Sequence, residues 1–200
     1  MTEHYYSEKP QSTHALKTWT HELCNHEFTF TSDAGVFSRD RVDFGSKLLI
    51  ETFHNQGVEG DFLDLGCGYG PIGIVLAKTN PNRHTVMVDV NERAVTLSKK
   101  NAAQNNVTNV EVLQSDGFSN LTNRKFAAIV TNPPIRAGKK LIYSLFAESK
   151  THLHPKGELW IVIQKKQGAP SAKKYLEELF KNVEVKTRKK GYYILCAFNN

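Results

Sequence analysis

Residues 61–73 read Asp61-Phe62-Leu63-Asp64-Leu65-Gly66-Cys67-Gly68-Tyr69-Gly70-Pro71-Ile72-Gly73. Phe62–Leu65 has the length and apolarity of a buried strand. Pro71 suits the first turn of a helix, where its missing N–H costs nothing, and the pattern predicts a helix over Pro71–Lys78. Three glycines at alternate positions lie between the two. Glycines let backbone approach a ligand closely, and the helix N-terminus that follows faces the same point. A strand, a glycine turn and a helix in this order open a β/α unit with a binding loop at its carboxyl end.

The pattern repeats downstream. Thr85–Asp89 reads as the second strand, and Asn91 is placed to cap a helix from Glu92 to Asn105. Val110–Leu113 and Ala127–Val130 read as the third and fourth strands. A helix over Gly138–Thr151, a fifth strand over Glu158–Ile163 and a helix over Ser171–Phe180 follow. The last two apolar runs, Val183–Thr187 and Tyr192–Phe198, are separated by a connection too short for a crossover, so they form an antiparallel hairpin. Alternating units of this kind build a mostly parallel sheet with helices on both faces. Upstream, Lys47–Phe53 has helical spacing, and the runs around Cys24-Asn25-His26 read as a small hairpin within Trp19–Thr31. The first fifteen or so residues are polar and aperiodic, an arm. We divide the chain into residues 1–34, an arm and a short β extension packed on the rest, and residues 35–200, the α/β domain.

Bulk properties agree. Two hundred residues, 40% hydrophobic and 23% charged, suit one globular domain. No apolar run approaches the roughly 20 residues of a membrane span, and the N-terminus lacks a basic and apolar leader. Three scattered cysteines, Cys24, Cys67 and Cys196, fit a reducing cytoplasm. The formal charge of +6 leans toward a polyanionic partner or reflects a lysine-rich surface; composition does not separate the two.

Gly68, Gly70 and Gly73 also fit the dinucleotide pattern G-x-G-x-x-G. Asp64 argues against a dinucleotide, because a carboxylate there opposes a pyrophosphate and suits a ligand carrying an ammonium. Asp89 closes the second strand, where a carboxylate accepts from ribose hydroxyls. Asp116 follows the third strand and is placed to accept from an adenine amino group. Acids at three successive strand ends outline one nucleoside-sized ligand without phosphate, which points to S-adenosylmethionine. This arrangement resembles the class I methyltransferases that use that cofactor, whose acid-x-Gly-x-Gly-x-Gly loop is matched by Asp64, Gly66, Gly68 and Gly70. The resemblance implies a Rossmann-like, seven-stranded sheet ending in an antiparallel hairpin, and a cofactor site of Asp64, Gly66, Cys67, Gly68, Gly70, Asp89, Val90, Asn91, Asp116, Gly117 and Asn132.

Val130-Thr131-Asn132-Pro133-Pro134-Ile135-Arg136 supplies the chemistry. In these methyltransferases an Asn-Pro-Pro at this strand end marks amino methylation. An exocyclic amine is a poor nucleophile because its lone pair is delocalised. The Asn132 side-chain oxygen and the Pro133 carbonyl can each accept one amine hydrogen, aim the lone pair and offset the charge that develops on nitrogen. Pro133 and Pro134 stiffen that turn. The fourth position is Ile135 rather than the common aromatic, so stacking on a flat base falls to another residue.

Gly35–Leu49 resembles a segment of the small-subunit ribosomal RNA methyltransferase C family, whose members methylate guanine N2 in 16S rRNA. The opening His4-Tyr5-Tyr6-Ser7 is similar to the arm of short, single-domain relatives. The resemblance implies rRNA or the small ribosomal subunit as partner, and Phe37, Arg39, Ile135 and Arg136 at the substrate; the sequence leaves the oligomeric state open, with a monomer favoured. Phe37 reads equally as a lid or stacking residue and as core. Arg39, Arg41, Arg136, Lys139 and Lys140 read as phosphate contacts or as a solvated basic face. His21-x-x-Cys24-x-His26 is not a metal site on spacing, since residues i and i+3 of a strand face opposite ways. Adenine-N6 or protein glutamine methylation, and a SAM-binding module that docks RNA without turnover, are the competing readings.

Overall fold

The computed structural model describes residues 13–55 and 57–200. The His4-Tyr5-Tyr6-Ser7 opening of the arm lies outside them. Strands β3 (Phe62–Leu65), β4 (Thr85–Asp89), β5 (Val110–Gln114), β6 (Phe126–Thr131), β7 (Leu153–Gln164), β8 (Asn182–Lys189) and β9 (Tyr192–Phe198) form one seven-stranded sheet in the order β5-β4-β3-β6-β7-β9-β8. All neighbours are parallel except at β9, which runs antiparallel to both β7 and β8. Every residue of β3 and β6 is buried, as strands covered on both faces require.

Two apolar layers lie on opposite faces. Val130, Trp160, Val162 and Ile194 point to the face covered by α1 (Phe44–Thr52), α2 (Pro71–Thr79) and α3 (Glu92–Gln104). Ile129, Leu159, Ile161, Ile163 and Leu195 point to the face covered by α4 (Lys139–Thr151) and α5 (Ala169–Phe180). The chain leaves β3 in one direction through α2 to β4. It leaves β6 in the other direction through α4 to β7. The carboxyl ends of adjacent strands β3 and β6 are therefore the topological switch point, where open α/β sheets bind ligands.

Several boundaries differ from those read in the sequence. Helix α1 begins at Phe44 rather than Lys47, because the Asp43 side chain caps it by accepting from Ser46 N at 3.1 Å. Helix α5 begins at Ala169, with its proline in the first turn. A 3-10 turn, Ile135–Ala137, precedes α4. Strand β7 starts at Leu153, five residues early, because pairing resumes before a register shift against β6.

The N-terminal hairpin, β1 (Lys17–Leu23) and β2 (His26–Ser32), stays out of the main sheet. Its outer edge is satisfied by side-chain amides of α3. The Asn101 amide accepts from Thr31 N and donates to Thr31 O, both at 2.8 Å. One turn on, Asn105 makes the same pair of 2.8 Å bonds with Thr29. Each amide imitates one rung of a strand ladder. Asn101 Nδ2 also donates to Tyr69 O in the glycine turn, which locks hairpin, helix and turn together.

Candidate active site

A cavity of approximately 510 Å³ opens at the switch point. Its walls come from the 35–38 loop, the start of α1, the glycine turn, the end of β4, the Asn-Pro-Pro turn and the end of β7. At Gly66 and Gly68 φ is positive, at 78° and 58°, and a Cβ at either would meet nothing within 4 Å. These glycines therefore present bare backbone to open space, which is what a close ligand requires.

Two carboxylates sit at the glycine turn in different roles. Asp89 lines the cavity, with Oδ2 accepting from Gly68 N at 2.8 Å and Oδ1 from Asn91 N at 2.9 Å. Burial raises its pKa from the ordinary carboxylate range, and those backbone N–H groups pull the other way. Asp64 lies one layer deeper. It is fully buried, accepts from Gly73 N at 2.8 Å through Oδ2, and leaves Oδ1 unpartnered among the described residues. Burial pushes its pKa up to about 7, the Gly73 N–H opposes the rise, and the nearby Asp89 adds to it. Cys67 lines the cavity, but burial raises its thiol well above the usual range, so it serves as a packing residue rather than a nucleophile.

The turn after β6 is held with unusual care. Thr131 Oγ1 donates to Leu65 O at 2.8 Å, tying the ends of β6 and β3. Asn132 Nδ2 donates to Ser46 Oγ at 3.0 Å and lies 3.4 Å from both oxygens of Asp43. A carboxylate only accepts, so the amide nitrogen must face Asp43 and the amide oxygen must point the other way. Asn132 lines the cavity, and that oxygen is the acceptor it offers. The Pro134 carbonyl is used within the 3-10 turn by Ala137 N at 2.8 Å. Among the described residues no N–H donates to the Pro133 carbonyl, and Pro133 also lines the cavity.

A family model described as "Methyltransferase small domain" matches residues 27–196. The chain belongs to the methyltransferase small domain family. "Uncharacterized protein YbxB" of Bacillus subtilis (strain 168) is 60% identical over 198 residues, covering 98% of each chain. Ribosomal RNA small subunit methyltransferase C of Pseudoalteromonas atlantica is 33% identical over 201 residues, covering 95% of this chain and 56% of that protein. Among solved structures, the T. thermophilus 16S rRNA N2 G1207 methyltransferase (RsmC), in complex with AdoMet and guanosine, is similar with a TM-score of 0.83 and 27% identity. That match covers 96% of this chain and 52% of the other. The chain thus spans about half the length of the two methyltransferases named here.

In this methyltransferase small domain the cavity gathers Gly66, Cys67, Gly68, Asp89, Val90, Asn91, Gly117, Asn132, Pro133, Pro134, Ile135, Arg136 and Phe37. Four residues expected at the site stand elsewhere. The Asp64 carboxylate is under the glycine turn rather than in the cavity, because its side chain points into the core packing of α2. Asp116 is exposed, and the cavity wall is made by its neighbours Ser115 and Gly117. Arg39 is exposed, its guanidinium donating at 2.9 Å to Ala15 O and away from the cavity. Gly70 does not line the cavity either; it starts α2 with φ 96°. Phe37 is 43% exposed at the cavity rim, which settles rim over core. No group of three metal-ligating side chains occurs among the described residues. No helix among them is long and apolar enough to cross a membrane.

The sequence reading missed Asp43, Ser46, Gln164 and Tyr192. Asp43 carried one local signal, a capping residue three positions before Ser46, and nothing in it pointed to Asn132.

Proposed function

We propose that this chain transfers a methyl group from S-adenosylmethionine to an exocyclic amine of RNA, the guanine N2 of 16S rRNA. The orientation of the Asn132 amide carries the proposal. Asp43 and Ser46 hold its nitrogen, so its oxygen and the Pro133 carbonyl form a fixed pair of acceptors at the cavity.

S-adenosylmethionine fits the residues present. Bare backbone at Gly66 and Gly68, the acceptor Asp89 and the buried acid Asp64 suit a nucleoside with a cationic amino-acid tail and disfavour a pyrophosphate. When bound, the cofactor supplies an electrophilic methyl carbon on a sulfonium.

The chain's own residues then do the following. Asn132 Oδ1 and Pro133 O accept the two amine hydrogens at about 3 Å, which turns the nitrogen lone pair away from them and toward the methyl carbon. Both oxygens carry partial negative charge that offsets the positive charge growing on nitrogen in the transition state. The nitrogen is strongly acidic once alkylated, so it needs no strong base and its proton leaves to solvent. In this reading the aromatic absent at Ile135 is replaced by Phe37 at the rim, which stacks on the base. Arg136 lines the cavity, Lys139 and Lys140 follow it in the chain, and Lys165 and Lys166 stand between the lining residues Gln164 and Gln167; none of these cations has a carboxylate partner among the described residues, as phosphate contacts would need. A base within a helix must be unstacked to reach the site.

The test supplies labelled S-adenosylmethionine with 16S rRNA, assembled small subunits, DNA and ribosomal proteins, followed by nucleoside analysis. Labelled N2-methylguanosine is the expected product. Label confined to protein, or to adenine, overturns the guanine assignment.

Asp43 serves as a positioning residue. Asp43→Ala is expected to lower kcat about 10- to 100-fold by freeing the Asn132 amide to turn. It is also expected to cost roughly 1 kcal/mol of stability through the lost helix cap. Asp43→Asn keeps the cap, so its melting temperature should stay near wild type. Its kcat should recover part of the loss, because the new amide oxygen still accepts from Asn132. A full kcat in Asp43→Ala, with only the melting temperature lowered, would leave Asp43 a helix cap and nothing more.

A further inference from the structure

We infer that Gln164 is a specificity-determining residue of the substrate site, the group that reads the base beside the reacting amine. The inference rests on the guanine reading above and deepens it.

Side-chain parity places Gln164 first. Along β7, Trp160 and Val162 point to the α1 face, and Ile161 and Ile163 to the other. Gln164, the last residue of β7, continues the α1-face series. Along β6, Val130 points to the same face, and the next residue of that parity is Asn132, whose amide does meet the start of α1. Along β9, Ile194 points there too, and Tyr192 follows, paired with Gln164. Three neighbouring strand ends thus direct Asn132, Gln164 and Tyr192 to one side of the cavity, and all three line it. Thr131 pairs with Ile161, so Gln164 stands one strand across and two residues beyond Asn132. With strands ~4.8 Å apart and a rise of ~3.3 Å per residue, that offset is of the order of a purine's width.

Gln164 is also chemically available. It is half-buried, and its side-chain amide makes no hydrogen bond among the described residues. Its neighbours have other roles: Asn132 is held by Asp43 and Ser46, and Tyr192 packs against Phe44 with ring centroids 5.4 Å apart. A half-buried amide with one donor face and one acceptor face seeks a partner with the opposite pair. Next to its N2 amine, guanine presents N1–H and O6, a donor and an acceptor side by side. The amide oxygen of Gln164 can accept from N1–H while its nitrogen donates to O6. Adenine held by its N6 amine presents N1 as an acceptor only, and satisfies half of the pair.

The experiment measures binding by calorimetry with S-adenosylhomocysteine at saturation. The nucleosides are guanosine and 2-aminopurine riboside, which keeps the N2 amine but lacks O6 and N1–H. Wild type should prefer guanosine by about tenfold or more, the range of one bidentate contact. Gln164→Leu should bring the two affinities within about threefold of each other, as loss of that contact predicts. Gln164→Met, which keeps the side chain's length and removes both donor and acceptor, should bring the two affinities together in the same way. Unchanged affinity for S-adenosylhomocysteine in both variants shows that the cavity is intact, and the second variant decides if the first fails to fold. A wild-type preference that persists in the variants overturns the role of Gln164 while leaving the guanine reading in place. Failure of the wild type to bind guanosine, or equal binding of both nucleosides, overturns the inference; the first outcome removes the guanine reading with it.

Discussion

Asn132→Ala is expected to reduce kcat by about three orders of magnitude, the cost of removing one aimed electrostatic partner from a transition state. Affinity for S-adenosylmethionine should stay within about threefold of wild type, since Asp89 and the bare glycine backbone are untouched. The large effect follows from geometry. The amide is held through its nitrogen by Ser46 at 3.0 Å and by Asp43, so its oxygen is in place before substrate arrives and needs no reorganisation. Alanine removes one acceptor and leaves the Pro133 carbonyl alone, which cannot set the direction of the lone pair. Asn132→Asp keeps an oxygen, but it sets a carboxylate against Asp43 and should also be impaired. Single-turnover transfer and cofactor titration together check this. A parallel loss of cofactor binding and turnover in Asn132→Ala would move Asn132 from catalysis to the cofactor pocket.

Asp64→Asn is expected to raise the melting temperature of the cofactor-free protein at pH 8 and to weaken cofactor binding. In the unfolded chain this carboxyl ionises near 3.9, whereas in the folded protein burial holds it up to about 7. Between those values the folded state binds more protons than the unfolded state, so stability falls as pH rises through the window. The loss is complete above pH 7 and is of the order of 4 kcal/mol at most. Asparagine still accepts from Gly73 N but carries no charge. The variant and wild type should therefore melt alike near pH 4 and diverge up to pH 8, with the variant the more stable. In our reading the same buried charge, from beneath the glycine turn, attracts the cofactor's ammonium. Wild-type affinity should then strengthen as pH rises through 7, and the variant should lose that dependence. A melting difference that does not change with pH would show that Asp64 ionises normally. Stability gained and function lost at one residue is the usual mark of a site kept under electrostatic strain.

The fold was legible because its signals are local. Phe62–Leu65 is apolar apart from Asp64, Pro71 stands where a helix tolerates it, Asn91 caps α3 by accepting from Arg93 N and Ala94 N, and two residues, Lys190 and Gly191, suffice to turn β8 into β9. Each can be read from neighbours in the chain. Phe37 was ambiguous for the opposite reason: exposure depends on what packs above a residue, and no spacing encodes it. Asp116 and Arg39 were misplaced because a strand end fixes where the backbone is, while the direction of an exposed side chain depends on the next turn. Arg39 turns back to Ala15, 24 positions away.

By itself the sequence determined a parallel sheet with a glycine turn, acids at strand ends and a stiff Asn-Pro-Pro turn, because strand, turn and cap chemistry act over a few residues. Tertiary structure alone decided which way the Asn132 amide faces and what lies across from it. Asp43 is 89 positions from Asn132 in the chain, and Gln164 reaches the same cavity only because the strand order sets β7 beside β6. Those meetings are set by sheet order and side-chain parity, and both exist only once the whole sheet has formed.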